Sequence, residues 1–114
     1  MLHKKANRPI VRYNAFAETY LDELIDILLE QGYFSFRESA KKYVDSMKEY
    51  VEQHIFFMPQ YPAPQYFDKY KVGMKYITYH ANKRTTWYLF FRNIGSCYII
   101  YYITNNHFEG QYIR

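Results

Sequence analysis

The residues of this chain that could do chemistry are cationic and aromatic, and they lie in its C-terminal half. Lysine and arginine side chains can hold phosphate groups, tyrosine rings can stack on bases, and histidine can transfer protons near neutral pH. Such a set suits cleavage of RNA by its own 2′-hydroxyl group, because that reaction needs charge neutralisation and proton transfer but no metal. The predicted phosphate-binding residues are Lys71, Lys75, Arg84 and Arg92, and the predicted catalytic residues are His107, Tyr112 and Arg84.

A structural explanation also exists for several of these residues. Lys71 and Lys75 alternate with Gly73 along one face of a predicted strand, where lysines can also block the edge-to-edge pairing that leads to aggregation. His107 can serve only as a hydrogen-bonding group, and Arg92 can be a surface charge beside a turn. The sequence leaves these alternatives open.

Signatures of other chemistries are missing from the sequence. It has four glycines and no glycine-rich phosphate loop, and its four serines do not stand in the context of a hydrolase nucleophile. His107 and Glu109 are close in sequence, but two ligands do not make a zinc site. The sequence therefore predicts no metal and no cofactor.

The charges are distributed in three blocks along the chain. Residues 1–14 carry four bases and no acid, residues 15–57 carry nine acids and four bases, and residues 58–114 carry seven bases and two acids. The two basic ends suit an anionic partner. The alternative is that the net charge of +4 serves solubility alone.

The length of 114 residues, nearly half of them apolar, fits one domain over residues 1–114. The order of residues 1–7 is left open. Cys97 is the only cysteine, which excludes an intramolecular disulfide and fits a reducing cytoplasm. The N-terminal residues lack the pattern of a signal peptide, and no apolar run is long enough to cross a membrane. We therefore expect a cytoplasmic protein without membrane contact.

Hydrophobic periodicity divides the chain into a helical half and a strand half. Apolar residues recur at spacings of three and four in two segments, with Gly32 ending the first helix and a capping box of Ser35 and Glu38 starting the second. Three prolines make residues 59–66 an extended surface loop, after which the period changes to two. The predicted elements are a strand at 8–14, helices at 15–31 and 35–57, and strands at 70–80, 85–92 and 97–104, with turns at 81–84 and 93–96.

These elements predict an α+β domain in which an antiparallel helix hairpin covers one face of a sheet. The runs 87–91 and 98–103 are almost continuously apolar, which indicates strands that are covered on both faces or lined by tyrosines outside. The outer tyrosines then need a second cover, and a partner protein is one candidate for it.

The order of these elements resembles the RelE/ParE superfamily of toxins from bacterial toxin–antitoxin modules. The resemblance spans about residues 8–112 and implies the order β-α-α-β-β-β, with the helix hairpin packed on a mainly antiparallel four-stranded sheet. The stretches that carry it are residues 13–17 with Leu21 and Ile25, Ala40, Tyr43 and Val44 with Pro59, and residues 70–75, 87–91 and 101–107.

The resemblance also implies a partner and a target. A cognate, acidic antitoxin protein would bind the toxin. The free toxin would either cleave mRNA in the ribosome, as RelE-like members do, or inhibit DNA gyrase, as ParE-like members do. An inactive member that is retained as an interaction module is the remaining alternative.

The functional positions of RelE-like members carry over to this chain only in part. Tyr88 stands where those members have an arginine, with Arg84 four residues earlier, and His107 stands in place of a second arginine. The resemblance thus implies that His107 acts as a general acid or base and that Tyr112 assists it or stacks on a base. The positions that match directly are Lys71, Lys75 and Tyr112.

Overall fold

The computed structural model of the chain describes residues 10–113, and it contains three helices and five strands in this part of the chain. Residues 1–7, whose order the sequence left open, and the first two residues of the predicted strand 8–14 lie outside the described residues. The elements are β1 (Ile10–Tyr13), α1 (Ala15–Glu30), α2 (Arg37–His54), β2 (Tyr61–Pro62), a 3₁₀ segment (Gln65–Lys69), β3 (Lys75–His80), β4 (Thr86–Ile94), β5 (Cys97–Asn105), α3 (Asn106–Glu109) and a second 3₁₀ segment (Gly110–Tyr112).

Helix α1 has a side-chain cap at its start and a glycine at its end. The side chain of Asn14 accepts a hydrogen bond from the Ala17 amide, which satisfies one of the free N–H groups of the first turn. At the other end Gly32 has a φ of 79°, and the amides of Gly32 and Tyr33 donate to the carbonyls of Leu29 and Leu28. This is a Schellman motif, and it confirms the predicted end of the helix.

Helix α2 begins differently from the expectation. Its N-cap is Phe36, whose backbone is extended and whose side chain makes no capping hydrogen bond. The predicted capping box of Ser35 and Glu38 is therefore wrong, because Ser35 lies one residue before the cap. The side chains that α2 buries are Ala40, Val44, Met47 and Val51. Their spacing of three and four residues places them on one face, so packing of that face rather than a cap stabilises the helix.

The two helices form an antiparallel hairpin, as predicted. At one end the Tyr13 hydroxyl group, just before α1, donates to the carboxylate of Glu52 near the end of α2. At the other end Arg37 in the first turn of α2 bonds to Asp26 near the end of α1. Both residues of the Arg37–Asp26 pair are exposed, so the pair contributes little stability.

The sheet is mixed and has five strands in the order β1-β5-β4-β3-β2. Strand β1 is parallel to β5, and the other pairs are antiparallel. The α+β class is confirmed, but the sheet has one strand more than the predicted four. The additional strand is β2, which lies inside the proline-rich stretch that was predicted to be a loop. Pro62 is tolerated there because β2 is an edge strand.

Strand β3 is shorter than predicted, since it begins at Lys75 and not at residue 70. The chain turns before it, at Gly73, whose φ of 78° is unfavourable for residues with a side chain. Lys71 and Gly73 therefore do not lie on a strand, and the predicted alternation of Lys71, Gly73 and Lys75 on one strand face is wrong. Strands β4 and β5 match their predicted positions to within two residues.

The sheet separates two hydrophobic cores. The larger core lies between the sheet and the helix hairpin and includes Leu24, Met47 and Phe91. The smaller core lies on the outer face and consists of Phe67, Met74, Phe90 and Tyr102, with further tyrosines around it. Phe67 comes from the 3₁₀ segment, so the chain itself supplies a cover for the outer face. None of the described helices has the length and apolar character that crossing a membrane requires.

Candidate functional site

A cavity of about 570 Å³ opens where the end of the helix hairpin faces the loop between β3 and β4. Its walls include Tyr20 and Leu28 from α1, Tyr43 from α2 and Trp87 from β4. His107, the predicted proton-transfer residue, also lines it. The volume is within the range of natural ligand sites, which usually combine an apolar lining with a few polar groups.

His107 reaches this cavity because α3 begins directly at the end of β5. The side chain of Asn105 accepts hydrogen bonds from the amides of His107 and Phe108, at 2.9 and 3.0 Å, and so caps the short helix. The imidazole Nε2 atom of His107 lies 3.0 Å from the hydroxyl oxygen of Thr85. The other ring nitrogen, Nδ1, has no protein hydrogen-bond partner among the described residues, and the ring is exposed.

Asn106 ties α3 to the loop that carries Arg84. Its side-chain oxygen accepts from the Thr86 amide at 2.8 Å, and its side-chain nitrogen donates to the carbonyl oxygen of Arg84 at 3.0 Å. Inside the loop, Asn82 accepts from the amides of Arg84 and Thr85, both at 2.9 Å. The two hydrogen bonds of Asn106 thus fix α3 relative to the loop, and the two of Asn82 fix the loop itself. The structure brings the predicted residues Arg84 and His107 to the same end of the sheet.

Two other predicted residues lie at the opposite end. Lys75 begins β3 opposite Phe91 and lies five positions before His80 at the loop, which corresponds to about 17 Å along a strand. Arg92 pairs with Ile99 near the turn between β4 and β5. The strands therefore separate Lys75 and Arg92 from His107, and a joint phosphate site of these residues does not form.

Lys71 and Tyr112 belong to the outer layer of the protein. The ammonium group of Lys71 lies 5.5 Å from the centre of the Tyr101 ring. The ring of Tyr112 stacks on Tyr66, with 3.8 Å between centroids and 2° between planes. Tyr112 thus packs against the 3₁₀ cover of the outer face. Tyr88, which the resemblance alone assigned to an arginine position, also packs on the outer core.

Glu109 is a buried acid for which the sequence predicted no role. Only 5% of its surface is exposed, and its carboxylate accepts hydrogen bonds from Tyr102 at 2.5 Å and from Tyr66 at 3.2 Å. Burial, followed by the bond to Glu109, raises the pKa of the Tyr102 hydroxyl group well above its usual range. The sequence did contain a signal for this role, because Glu109 is a lone acid within a basic, tyrosine-rich segment. A buried carboxylate needs hydrogen-bond donors, and tyrosine hydroxyl groups can supply them.

The tyrosines of the cavity wall also had no predicted role, because their helical spacing indicated core positions alone. The Trp87 indole donates to the Tyr43 hydroxyl oxygen at 2.9 Å. Burial raises the pKa of Tyr20 to about 12, with smaller contributions from Glu109 and Tyr43. Tyr20 is therefore neutral at physiological pH, and its hydroxyl group can donate a hydrogen bond to an anion in the cavity.

No metal-binding cluster is found among residues 10–113, where no three His, Cys, Asp or Glu side chains come together. The chain was also compared with known proteins. It matches no protein-family model, and neither the curated proteins nor the solved structures include a significant match. Function must therefore be argued from the site itself.

Proposed function

We propose that the chain is a toxin of the RelE/ParE type that cleaves mRNA without a metal and so inhibits translation. The proposal depends on one observation above all: His107 stands at the mouth of a cavity, on a short helix that Asn106 fastens to the Arg84 loop. The imidazole of His107 and the backbone of Arg84, a permanent cation, are thus held at the same end of the sheet. That is the minimum that 2′-hydroxyl attack on a phosphodiester requires.

In this reaction the imidazole of His107 takes the proton of the RNA 2′-hydroxyl group. The 2′-oxygen then forms a bond to phosphorus while the bond to the 5′-oxygen breaks. The departing oxygen takes a proton from water, and the products carry a 2′,3′-cyclic phosphate and a 5′-hydroxyl group. Arg84 neutralises the charge that develops on the phosphate oxygens. Thr85 holds the imidazole ring through the contact with Nε2, which leaves Nδ1 for the substrate.

The fold supports this proposal through its element order. A first strand, a helix hairpin and the β3–β5 meander follow one another as in the family that the sequence resembles. The charge distribution supports an acidic antitoxin as the partner, since the last part of the chain is basic. Exposed aromatic rings, among them Phe36, Phe57 and Phe108, would supply apolar contacts for it.

Induced expression in bacteria tests the proposal directly. The wild-type chain should arrest growth and translation, and its transcripts should be cut to leave 2′,3′-cyclic phosphate ends. His107→Ala should lower cleavage by about 10²-fold or more, as loss of a general base does. Arg84→Ala should lower it by about 10²-fold through lost charge stabilisation. Arg92→Ala, which removes an arginine from the opposite end of the sheet, is the matched control and should cleave like the wild type.

The proposal would be wrong if His107→Ala cut transcripts as fast as the wild type. A further test uses the neighbouring reading frame, which we expect to encode a small acidic antitoxin. Coexpression of that protein should relieve the growth arrest.

A toxin that acts by protein contact, for example on DNA gyrase, is the second candidate. The exposed aromatic side chains favour it, because Phe57 and Phe108 are 80% and 74% exposed and such rings often mark protein interfaces. This candidate predicts a DNA damage response with intact transcripts. Phe108→Ser should then abolish the arrest, whereas Arg84→Ala should preserve it.

A further inference from the structure

A second cavity, of about 230 Å³, adjoins the one that His107 lines. It lies between the first half of α1 and the last residues of β5, and Tyr20 and Phe108 line both cavities. The volume is below that of typical sites for whole small molecules, which begin at about 300 Å³. The cavity therefore suits one part of a larger ligand whose remainder lies in the His107 cavity.

The wall of this second cavity contains an unpartnered polar group. Thr104 is only 2% exposed, and its hydroxyl oxygen has no hydrogen-bond partner among the described residues. A buried hydroxyl group without a partner destabilises the folded protein, because it loses its hydrogen bonds to water. Natural proteins rarely retain such a group unless something pairs with it. The open side chains of Phe16 and Phe108, both more than half exposed, flank the cavity and can move to admit a ligand.

Three aromatic rings in the wall of the cavity, those of Phe16, Tyr70 and Tyr102, are nearly parallel. The ring of Phe16 lies 6.2 Å from that of Tyr102, with 14° between their planes, and Tyr70 stacks on Tyr102 at 3.7 Å. A planar ring that enters beside them finds faces and edges to stack on. The Thr104 hydroxyl oxygen exposes almost no surface in the free protein, so a ring with hydrogen-bonding atoms on its edge would bond to it once Phe16 or Phe108 moved aside. Nucleobases combine these two properties.

Cations beside the cavity favour a nucleotide over an apolar side chain of a protein. Tyr70 lines the cavity, and its two chain neighbours are Lys69 and Lys71, both exposed. The ammonium group of Lys69 lies 5.7 Å from the centre of the Tyr70 ring. The Lys69 ammonium group also lies 3.8 Å from the centre of the Tyr66 ring. Both lysines flank Tyr70 in the chain, where they would attract the phosphate of a base in the cavity.

We propose that the second cavity is a subsite for one nucleobase of the RNA, which hydrogen-bonds to Thr104 and has its phosphate near Lys69 and Lys71. The inference rests on the proposed ribonuclease function and adds the element that would select a base beside the cleaved bond. It also gives Lys71 a role in phosphate binding, although Lys71 lies before β3 and not on that strand as the sequence predicted.

The test is a titration of the full chain with each of the four nucleoside monophosphates, followed by NMR of the threonine methyl groups. The Thr104 signal should shift in a saturable way with at least one nucleotide. Thr104→Val should weaken that binding by about fivefold, the value of one hydrogen bond. Thr78→Val, in β3, keeps the cavity intact and should bind like the wild type. Lys71→Ala should weaken binding of the monophosphate but not of the free nucleoside.

Several results would overturn the subsite. These are the absence of a saturable shift with all four nucleotides, equal binding by Thr104→Val, or binding of aromatic peptides in preference to nucleotides. An experimental structure with a buried water molecule bonded to Thr104 in the presence of nucleotide would also overturn it.

The subsite and the proposed function can fail separately. Nucleotide binding that persists in His107→Ala while cleavage stops would support both. Cleavage by the wild type without any nucleotide effect on Thr104 would overturn the subsite alone. Saturable binding at Thr104 in a chain that never cuts RNA would overturn the ribonuclease and leave a nucleotide site.

Discussion

The hydroxyl group of Tyr102 donates a hydrogen bond to the buried carboxylate of Glu109, with 2.5 Å between the two oxygens. Tyr102 lies in β5 and Glu109 in α3, so this bond fastens the helix of His107 to the outer face of the sheet. Asn106 fastens the same helix to the Arg84 loop. A helix of four residues has little stability of its own. The contacts of Glu109 and Asn106 therefore hold α3 in place.

We therefore expect Glu109→Ala to destabilise the protein by about 2–3 kcal/mol, since it leaves the Tyr102 hydroxyl group buried without an acceptor. Glu109→Gln retains an acceptor of similar shape and should destabilise it less. Denaturation with urea, followed by circular dichroism, measures both effects. Tyr66→Phe removes the longer, 3.2 Å bond to the same carboxylate and should cost less than about 1 kcal/mol. Equal stability of Glu109→Ala and the wild type would show that this bond does not hold α3.

Asn106 should matter more for activity than for folding. Asn106→Ala removes two hydrogen bonds between α3 and the loop, both at exposed sites, so we expect a loss of only about 1–2 kcal/mol. Because the same bonds hold His107 relative to Arg84, cleavage of a defined RNA should fall by about tenfold or more. Asn93→Ala, at the exposed far end of β4, is the control. A variant at position 106 that loses stability but cleaves normally would show that the loop needs no such anchor.

Much of the fold could be predicted because its signals are local. The helix hairpin followed from the stripe of Leu21, Leu24 and Leu28 and from Gly32, whose positive φ ends α1. The long strands β4 and β5 followed from their apolar runs. The start of α2 could not be predicted in the same way, because Phe36 caps it without a side-chain bond and only its buried face determines where it begins.

The candidate site was predicted less completely, because it depends on contacts between distant residues. Lys75 and Arg84 lie in neighbouring parts of the sequence but at opposite ends of β3, and only the register of the strands reveals this. Glu109 and Tyr66 are 43 residues apart, so their bond leaves no periodic signal. The cover of the outer sheet face could not be predicted for a related reason. The proline-rich stretch has the composition of a loop, and only the structure shows that Phe67, directly after it, is buried in the outer core.

Alkaline pH should destabilise the fold partly through Tyr20. Burial raises the pKa of this hydroxyl group from its usual 10.0 to about 12. Between these values the unfolded chain releases the proton while the folded chain keeps it, so stability is full below pH 10 and falls as pH rises towards 12. In urea denaturation between about pH 9 and pH 12, the free energy of unfolding should fall less steeply with pH in Tyr20→Phe than in the wild type. The two slopes should differ by up to one proton, or about 1.4 kcal/mol per pH unit. An identical slope in the two proteins would contradict the burial of this hydroxyl group.

Thr104→Val should make the free protein more stable, although it removes a polar group from the proposed subsite. Valine has the same shape as threonine but needs no hydrogen-bond partner, so the variant avoids the cost of the buried, unpartnered hydroxyl group. We expect a gain of about 1 kcal/mol, seen as a higher midpoint in urea and a higher Tm. Thr78→Val, at a partly exposed position of β3, is the control and should change stability by less than about 0.5 kcal/mol. If the variant at position 104 were instead less stable than the wild type, the Thr104 hydroxyl group would have a hydrogen-bond partner in the free protein. A ligand would then not be needed to pair with it.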